Sequence, residues 1–194
     1  MDKVKQALSK LLAVIRYLFS YIYDITVTYP LTRSIYKHFA KEFASKFAGK
    51  KITMIDVGTG TGTPLKSILK DVQFERVLAV DINRGYLQKA RENFAQHPNV
   101  EVRYLDFMEA HKEIKEKFDI VFFGFSFMLM PDREEALKIA KKLLKPNGKI
   151  YMFLTLYHKK SPIVEWIKPR MKYIFSVEYG PVMYYNQVIE LLLS

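Results

Sequence analysis

Cysteine is absent from all 194 residues. That excludes a disulfide framework, thiolate metal sites and a cysteine nucleophile of the kind that adds to a pyrimidine ring. It also fits a reducing, cytoplasmic compartment. No fixed-period repeat or low-complexity tract interrupts the chain. No apolar run reaches the roughly 20 residues that a bilayer-spanning helix needs. The strongest, Leu11 to Ile22, is shorter than that and carries Arg16. Acidic residues are the scarcer charge, 20 against 31 lysines and arginines, for a net +11. What is present is apolar: 49% hydrophobic and 14% aromatic residues, enough for the core of one ordinary domain.

The positive excess lies at the ends. Residues 1–50 and 133–194 each carry +6, while residues 51–132 carry −1. A near-neutral centre between basic ends points to a small-molecule site beside an anionic surface, with membrane headgroups and nucleic acid both qualifying. Chain character changes near residue 50, which divides an amphipathic helical extension over 1–50 from a domain over 51–194.

From Ile52 onward, short apolar runs alternate with helical spacing, the pattern of an α/β, Rossmann-like, doubly wound and mostly parallel sheet. Strands are expected at Ile52–Val57, Val77–Val80, Val100–Tyr104, Phe118–Phe123 and Lys149–Leu156. Between them run helices opened by Thr63-Pro64, spaced by Tyr86, Leu87, Ala90 and Phe94, and spaced by Ala136, Leu137, Ala140, Leu143 and Leu144. Pro146-Asn147-Gly148 is expected to close the last of these. Val182–Leu193 reads as a final helix. Tyr173, Phe175, Val177 and Tyr179 alternate and fit a strand or a loop.

"IDVGTGTGTP" places three glycines in five positions between the first strand and a helix. Glycine permits positive φ and leaves no Cβ in the way, so a ligand can lie on the backbone while N–H groups at the helix start meet a carboxylate. In a doubly wound sheet ligands bind beyond the carboxyl ends of the strands. Asp56, Asp81 and Asp106 fall at three such ends, and a carboxylate about 20 residues after the loop suits a ribose diol. A nicotinamide dinucleotide is the rival, but its G-x-G-x-x-G fingerprint is not met, because Gly62 is followed by Thr63.

These segments resemble the class I S-adenosylmethionine-dependent methyltransferases, in particular the type 11-like branch that methylates lipids and quinones. "IDVGTGTG" is similar to the family's first motif, "VLAVDI" to the second and "VRYLDF" to the adenine motif. "FDIVFFGFSFMLMPD" and "LKPNGKIYMF" are similar to its fourth and fifth strand segments. The resemblance implies S-adenosylmethionine as cofactor. Asp56 and the backbone of Gly58, Gly60 and Gly62 would hold its methionine end, with Thr59 and Thr61 shaping the loop. Asp81 would take the ribose and Ile82 the adenine face. Asp106 and the Phe107 amide would take the adenine edge, and Phe123 and Gly124 would border the methyl group. The family sheet ends in an antiparallel hairpin, for which "QVIELLLS" leaves no room; another subunit, such as a second copy, or residues 172–179 would then cover strand five.

Methyl transfer to an acceptor is a displacement on an activated sulfonium and demands no metal. The chain lacks the Asn/Asp-Pro-Pro-aromatic motif of amine methylation on bases, having Gly124-Phe125-Ser126-Phe127 instead. Phe125 and its apolar neighbours favour a greasy acceptor, a lipid or quinone. His158 and Tyr23 are weaker acceptor-side candidates, His158 as a base past strand five and Tyr23 by its likeness to a family Tyr-Asp pair. No residue is assigned the catalytic role. Residues 1–22 form an amphipathic helix carrying Lys3, Lys5, Lys10 and Arg16 against Asp2. It is expected either to lie on an anionic membrane or to fold onto its own domain. A nucleic-acid methyltransferase and a non-catalytic cofactor-binding subunit are the alternatives.

Overall fold

A computed structural model describes Gln6 and residues 29–170 and 181–193. Apart from Gln6, expectations for residues 1–22, Tyr23 and residues 172–179 fall outside the described residues. The first described helix, α1 (Tyr29–Lys46), leads into β1 (Thr53–Val57), α2 (Thr63–Leu69), β2 (Arg76–Asp81), α3 (Arg84–Phe94) and β3 (Val100–Tyr104). A 3-10 turn (Phe107–Glu109) and short α4 (Ala110–Glu113) follow, then β4 (Phe118–Gly124), a second 3-10 turn (Phe127–Leu129) and α5 (Arg133–Leu143). The chain continues through β5 (Leu144–Phe153), β6 (Leu156–Tyr157), α6 (Pro162–Ile167), β7 (Met183–Tyr184) and α7 (Tyr185–Leu193).

The main sheet is five-stranded in the order β3-β2-β1-β4-β5, and every pairing is parallel. Burial on both faces explains why β1, β2 and β4 read as continuous apolar runs. Successive side chains go to opposite faces. Ile55, Val57, Leu78, Val80, Val121 and Phe123 pack against α4, α5 and α7. Met54, Ala79, Ile120 and Phe122 face α1, α2 and α3. The reversal of strand order between β1 and β4 opens a crevice at their carboxyl ends.

The N-terminal extension supplies part of this core. Tyr36, Ala40 and Phe43 recur at helical spacing and are buried, at 2% exposure or less. Phe39 stacks on Phe122 with centroids 5.6 Å apart, and Phe43 meets Tyr151 edge-on at 5.2 Å. α1 is thus held to β4 and β5 by rings, whose edge-to-face contacts add to their buried area.

Several boundaries differ from expectation; the last helix, for instance, starts at Tyr185 where Val182 was expected, because Met183–Tyr184 pairs as β7. The cap of α2 is Gly62, with φ 76°, and Thr63 is already helical. A Cβ on Gly62 would stand 2.4 Å from the Phe94 ring, so α3 packs where a side chain would be. Leu144 belongs to β5, and Pro146-Asn147-Gly148 forms an irregularity inside that strand, with Asn147 at φ 66°. β5 stops at Phe153, and Leu156 pairs instead with Met183 in a separate two-stranded sheet.

Truncation of Phe43 to alanine empties a ring-lined site and is expected to cost about 3–5 kcal/mol. Urea unfolding of Phe43→Ala checks this, and a loss below 1 kcal/mol, on the order of a surface change, would contradict packing of α1 into the core.

Candidate cofactor site

The glycine loop is folded by its own neighbours. Gly58, Gly60 and Gly62 all adopt positive φ, at 68°, 59° and 76°. The amides of Gly58 and Thr59 both donate to the Val80 carbonyl, at 2.8 and 3.0 Å, and Gly62 N donates to the Thr59 carbonyl at 3.0 Å. Gly60 N donates to Asp81 Oδ2 at 2.9 Å. The Asn93 side chain donates to the Thr61 carbonyl at 2.9 Å, tying the loop to α3. The amides of Gly58, Thr59, Gly60 and Gly62 are therefore engaged within the chain. A Cβ on Gly60 would meet nothing within 4 Å, so the backbone there is open to an approaching group.

Two carboxylates flank the loop. Asp56, at the end of β1, is 3% exposed. Burial pushes its carboxyl up to about 7; the Thr59 hydroxyl works against this without completing a good hydrogen bond, and the charge on Asp81 adds to it. Asp81, at the end of β2, also accepts from Asn83 N at 2.7 Å. Its pKa is raised by burial and moderated by the amides of Asn83, Gly60 and Ile82. A buried and a half-buried acid, with no cation bridging them among the described residues, form a site that favours positive charge.

Of the adenine-side candidates, Ile82 is 63% exposed and offers an apolar face. Asp106 is exposed, and its Oδ1 accepts from Met108 N at 2.9 Å as the cap of the 3-10 turn. Phe107 is buried, its ring edge-on to Phe123 at 5.3 Å. Phe123 is fully inside the core, so only its backbone can border a ligand.

At the exit of β4 the chain turns sharply. Phe125 N donates to the Phe123 carbonyl at 3.1 Å, and Phe125 holds φ 66°, a conformation rare for a bulky residue. Ser126 Oγ donates to the Val57 carbonyl, and a Cβ on Gly58 would stand 2.5 Å from the Ser126 Cβ. A Cβ on Gly124 would come 2.7 Å from the Tyr36 hydroxyl. Sequence reasoning missed Ser126, Tyr36 and Asn93; for the first two the glycines they approach, Gly58 and Gly124, were the signal, and Asn93, which bonds the Thr61 carbonyl, left none. Phe125 is partly buried, Phe127 and Met128 enter the core, and Leu129 is 41% exposed. His158 is exposed and stacks on Tyr185 at 5.4 Å, which attaches it to the C-terminal helix and not to the loop.

The residues present fit a cationic nucleoside ligand. Asp56 is buried next to the loop, the Thr59 hydroxyl has no hydrogen-bond partner among the described residues, the backbone at Gly60 is open, Asp81 accepts from Gly60 N, and Ile82 offers an exposed apolar side chain.

A protein-family model described as "Methyltransferase domain" matches residues 54–148, just under half of the chain. A malonyl-[acyl-carrier protein] O-methyltransferase of Acetivibrio thermocellus is 32% identical over 108 residues, covering 56% of this chain and 37% of that protein. An uncharacterized methyltransferase of Schizosaccharomyces pombe is 28% identical over 139 residues, 72% of this chain and 52% of that protein. The chain thus spans little more than a third to about half the length of these relatives. Among solved structures, an O-methyltransferase family protein from Burkholderia thailandensis superposes with a TM-score of 0.68 at 17% identity, covering 86% of this chain and 51% of that one. The plantazolicin methyltransferase BamL, solved with SAH, gives 0.66 at 17% identity, covering 90% and 65%.

The Asp56 carboxyl makes a testable contribution to stability. Between about pH 4 and 7 the folded chain keeps this proton while the unfolded chain has lost it, so stability falls as pH rises through that window. Urea unfolding of Asp56→Asn is expected to remove a slope of up to about 1.4 kcal/mol per pH unit. Parallel pH profiles for the two proteins would contradict burial of this acid.

Proposed function

We propose, on the premise that this chain has the class I S-adenosylmethionine-dependent methyltransferase fold, that it binds S-adenosylmethionine and methylates an apolar small-molecule acceptor. A membrane-associated lipid or quinone is the acceptor class favoured. The observation that carries the reading is the meeting of the open Gly60 backbone with buried Asp56 and half-buried Asp81 at the carboxyl ends of β1 and β2.

The cofactor would supply an activated methyl group. The chain's own residues would do the rest. Ionised Asp56 is favoured beside an ammonium group, so binding would draw its proton off. Asp81 keeps one oxygen on Gly60 N and the other on Asn83 N, which fixes the carboxylate in place to accept hydroxyls. Ile82 offers its exposed side chain to a flat ring, and Asp106 stands beyond it at the end of β3. Gly124 and the turn at Phe125 would keep side-chain bulk away from the transferred methyl.

For the acceptor, the apolar exit of β4 and the basic ends of the chain support a greasy molecule at an anionic surface. Among the described residues no helix is long and apolar enough to cross a membrane. Contact with a bilayer would be made by residues 1–22, whose strongest apolar run, Leu11 to Ile22, falls short of the roughly 20 residues of a span. The relatives include a malonyl-[acyl-carrier protein] O-methyltransferase and the lovastatin nonaketide synthase mokA of Monascus pilosus, which keeps carrier-bound acyl groups among the acceptors to assay.

Calorimetry with S-adenosylmethionine is expected to find Asp81→Ala at least tenfold weaker than wild type, about 1.4 kcal/mol, with the fold checked by circular dichroism. Unchanged affinity would remove Asp81 from the site. Labelled methyl transfer into a lipid extract, with RNA as the parallel acceptor, is expected to label lipid. Label in RNA alone would replace this acceptor class, and label in neither would favour a non-catalytic subunit.

A further inference from the structure

α6 turns its apolar side outward, the reverse of a helix that packs only on its own domain. Ile163, Trp166 and Ile167 stand at i, i+3 and i+4, which puts them on one face, and they are 70%, 61% and 43% exposed. Of the helix's apolar side chains only Val164 is partly buried. Its ties to the rest of the chain are polar. Buried Lys168, the first residue past the helix, donates to the Pro181 carbonyl at 3.0 Å, and the Tyr184 hydroxyl donates to the Glu165 carboxylate. Nine large apolar side chains are exposed among the described residues, and three of them fall in this one short helix. The exposure is therefore a patch and not the scattered single residues of an ordinary surface.

The exposed charges flanking the patch are basic. Lys159 and Lys160 precede the helix and Arg170 follows it, all three exposed and none in an ion pair among the described residues. The Arg170 guanidinium lies 4.5 Å from the centre of the Trp166 ring and donates to the Trp166 carbonyl at 2.6 Å, which holds its charge beside the apolar face. Glu165 is the helix's one acid. It lies two positions from Ile163, on the other side of the helix, where Tyr184 bonds it. Asp132, Glu134 and Glu190 line a groove that includes no residue of α6.

An apolar centre with cations at its rim matches an anionic lipid surface. Isoleucines gain from the acyl boundary, an indole suits headgroup depth, and long basic side chains reach lipid phosphates. RNA would use the cations and the indole, but it offers two isoleucines little to bury against. The patch also stands at the crevice end of the sheet. β5 ends at Phe153, in register with Gly124 at the end of β4, and Lys168 Nζ is 4.0 Å from Met128 Sδ in the segment leaving β4.

We propose that α6, with Lys159, Lys160 and Arg170, is a docking surface for an anionic bilayer, separate from residues 1–22. That the bilayer also delivers the methyl acceptor rests on the lipid-methyltransferase reading; the docking itself does not.

Trp166 is the chain's one tryptophan, so its fluorescence reports on this face alone. The full chain can be titrated with phosphatidylcholine vesicles, with and without phosphatidylserine, a fixed share of the lipid carrying brominated acyl chains. A blue shift and saturable quenching are expected with the anionic vesicles, at an affinity about tenfold or more above that for phosphatidylcholine alone. Ile163→Asn with Ile167→Asn, and separately Lys159→Gln with Lys160→Gln, should each weaken quenching about tenfold or more, with circular dichroism unchanged. Wild type that sediments with anionic vesicles while Trp166 stays unquenched is held by another segment, and that overturns the proposal. Equal quenching on both vesicle types overturns it too, as does quenching kept in the folded isoleucine variant. A fluorescence response to RNA and not to vesicles gives the face to nucleic acid, and a dimer that the isoleucine variant dissolves, without vesicle binding, gives it to a second copy; either outcome overturns the bilayer. The wild-type comparison decides even where a variant does not fold. Quenching on anionic vesicles without methyl transfer to lipid leaves the docking standing and overturns the acceptor reading alone.

Discussion

The crevice depends on two carboxylates, one buried and one half-buried, at the ends of adjacent parallel strands. Asp56 is the penultimate residue of β1 and Asp81 the last of β2, and the glycine turn lies against Asp81. Asp81 holds that turn through Gly60 N and the start of α3 through Asn83 N, so one side chain sets the relative position of two elements. Asp56 has no such pair of donors, and burial leaves its carboxyl near neutrality. The fold thus carries an electrostatic debt at one point, and a cation arriving there is stabilised by the same burial that costs the unliganded chain.

Around that point the packing leaves little freedom. Gly58 has a serine where its Cβ would go, Gly62 has a phenylalanine ring and Gly124 has a tyrosine hydroxyl, so three segments close on the crevice at side-chain contact distance. Gly60 alone of the loop's glycines has open space above it. The aromatic face of α1 against β4 and β5 brings Tyr36 to this rim, so the helix that stabilises the core also shapes the site.

Much of the fold was legible in the sequence because strands buried on both faces leave continuous apolar runs, and because helices such as α5 repeat their buried residues at helical spacing. The glycine turn and the strand-end acids were legible for the same reason: their meaning is local. What was not legible is long-range. Nothing near Gly58 announces Ser126, 68 positions later, and nothing near Gly124 announces Tyr36. The engaged loop amides also follow from a strand pairing, β1 with β2, that brings the Val80 carbonyl alongside. At Gly62 the cap expected of Thr63 lost to ring packing by Phe94, and at Pro146-Asn147-Gly148 a helix stop proved to be a strand irregularity.

Diffraction from crystals soaked with S-adenosylmethionine tests the central claim most directly. The account predicts the ligand's amino-acid end over Gly60 beside Asp56, with its ribose at Asp81. A crevice left bare at saturating ligand, or the ligand bound elsewhere on the chain, would contradict it.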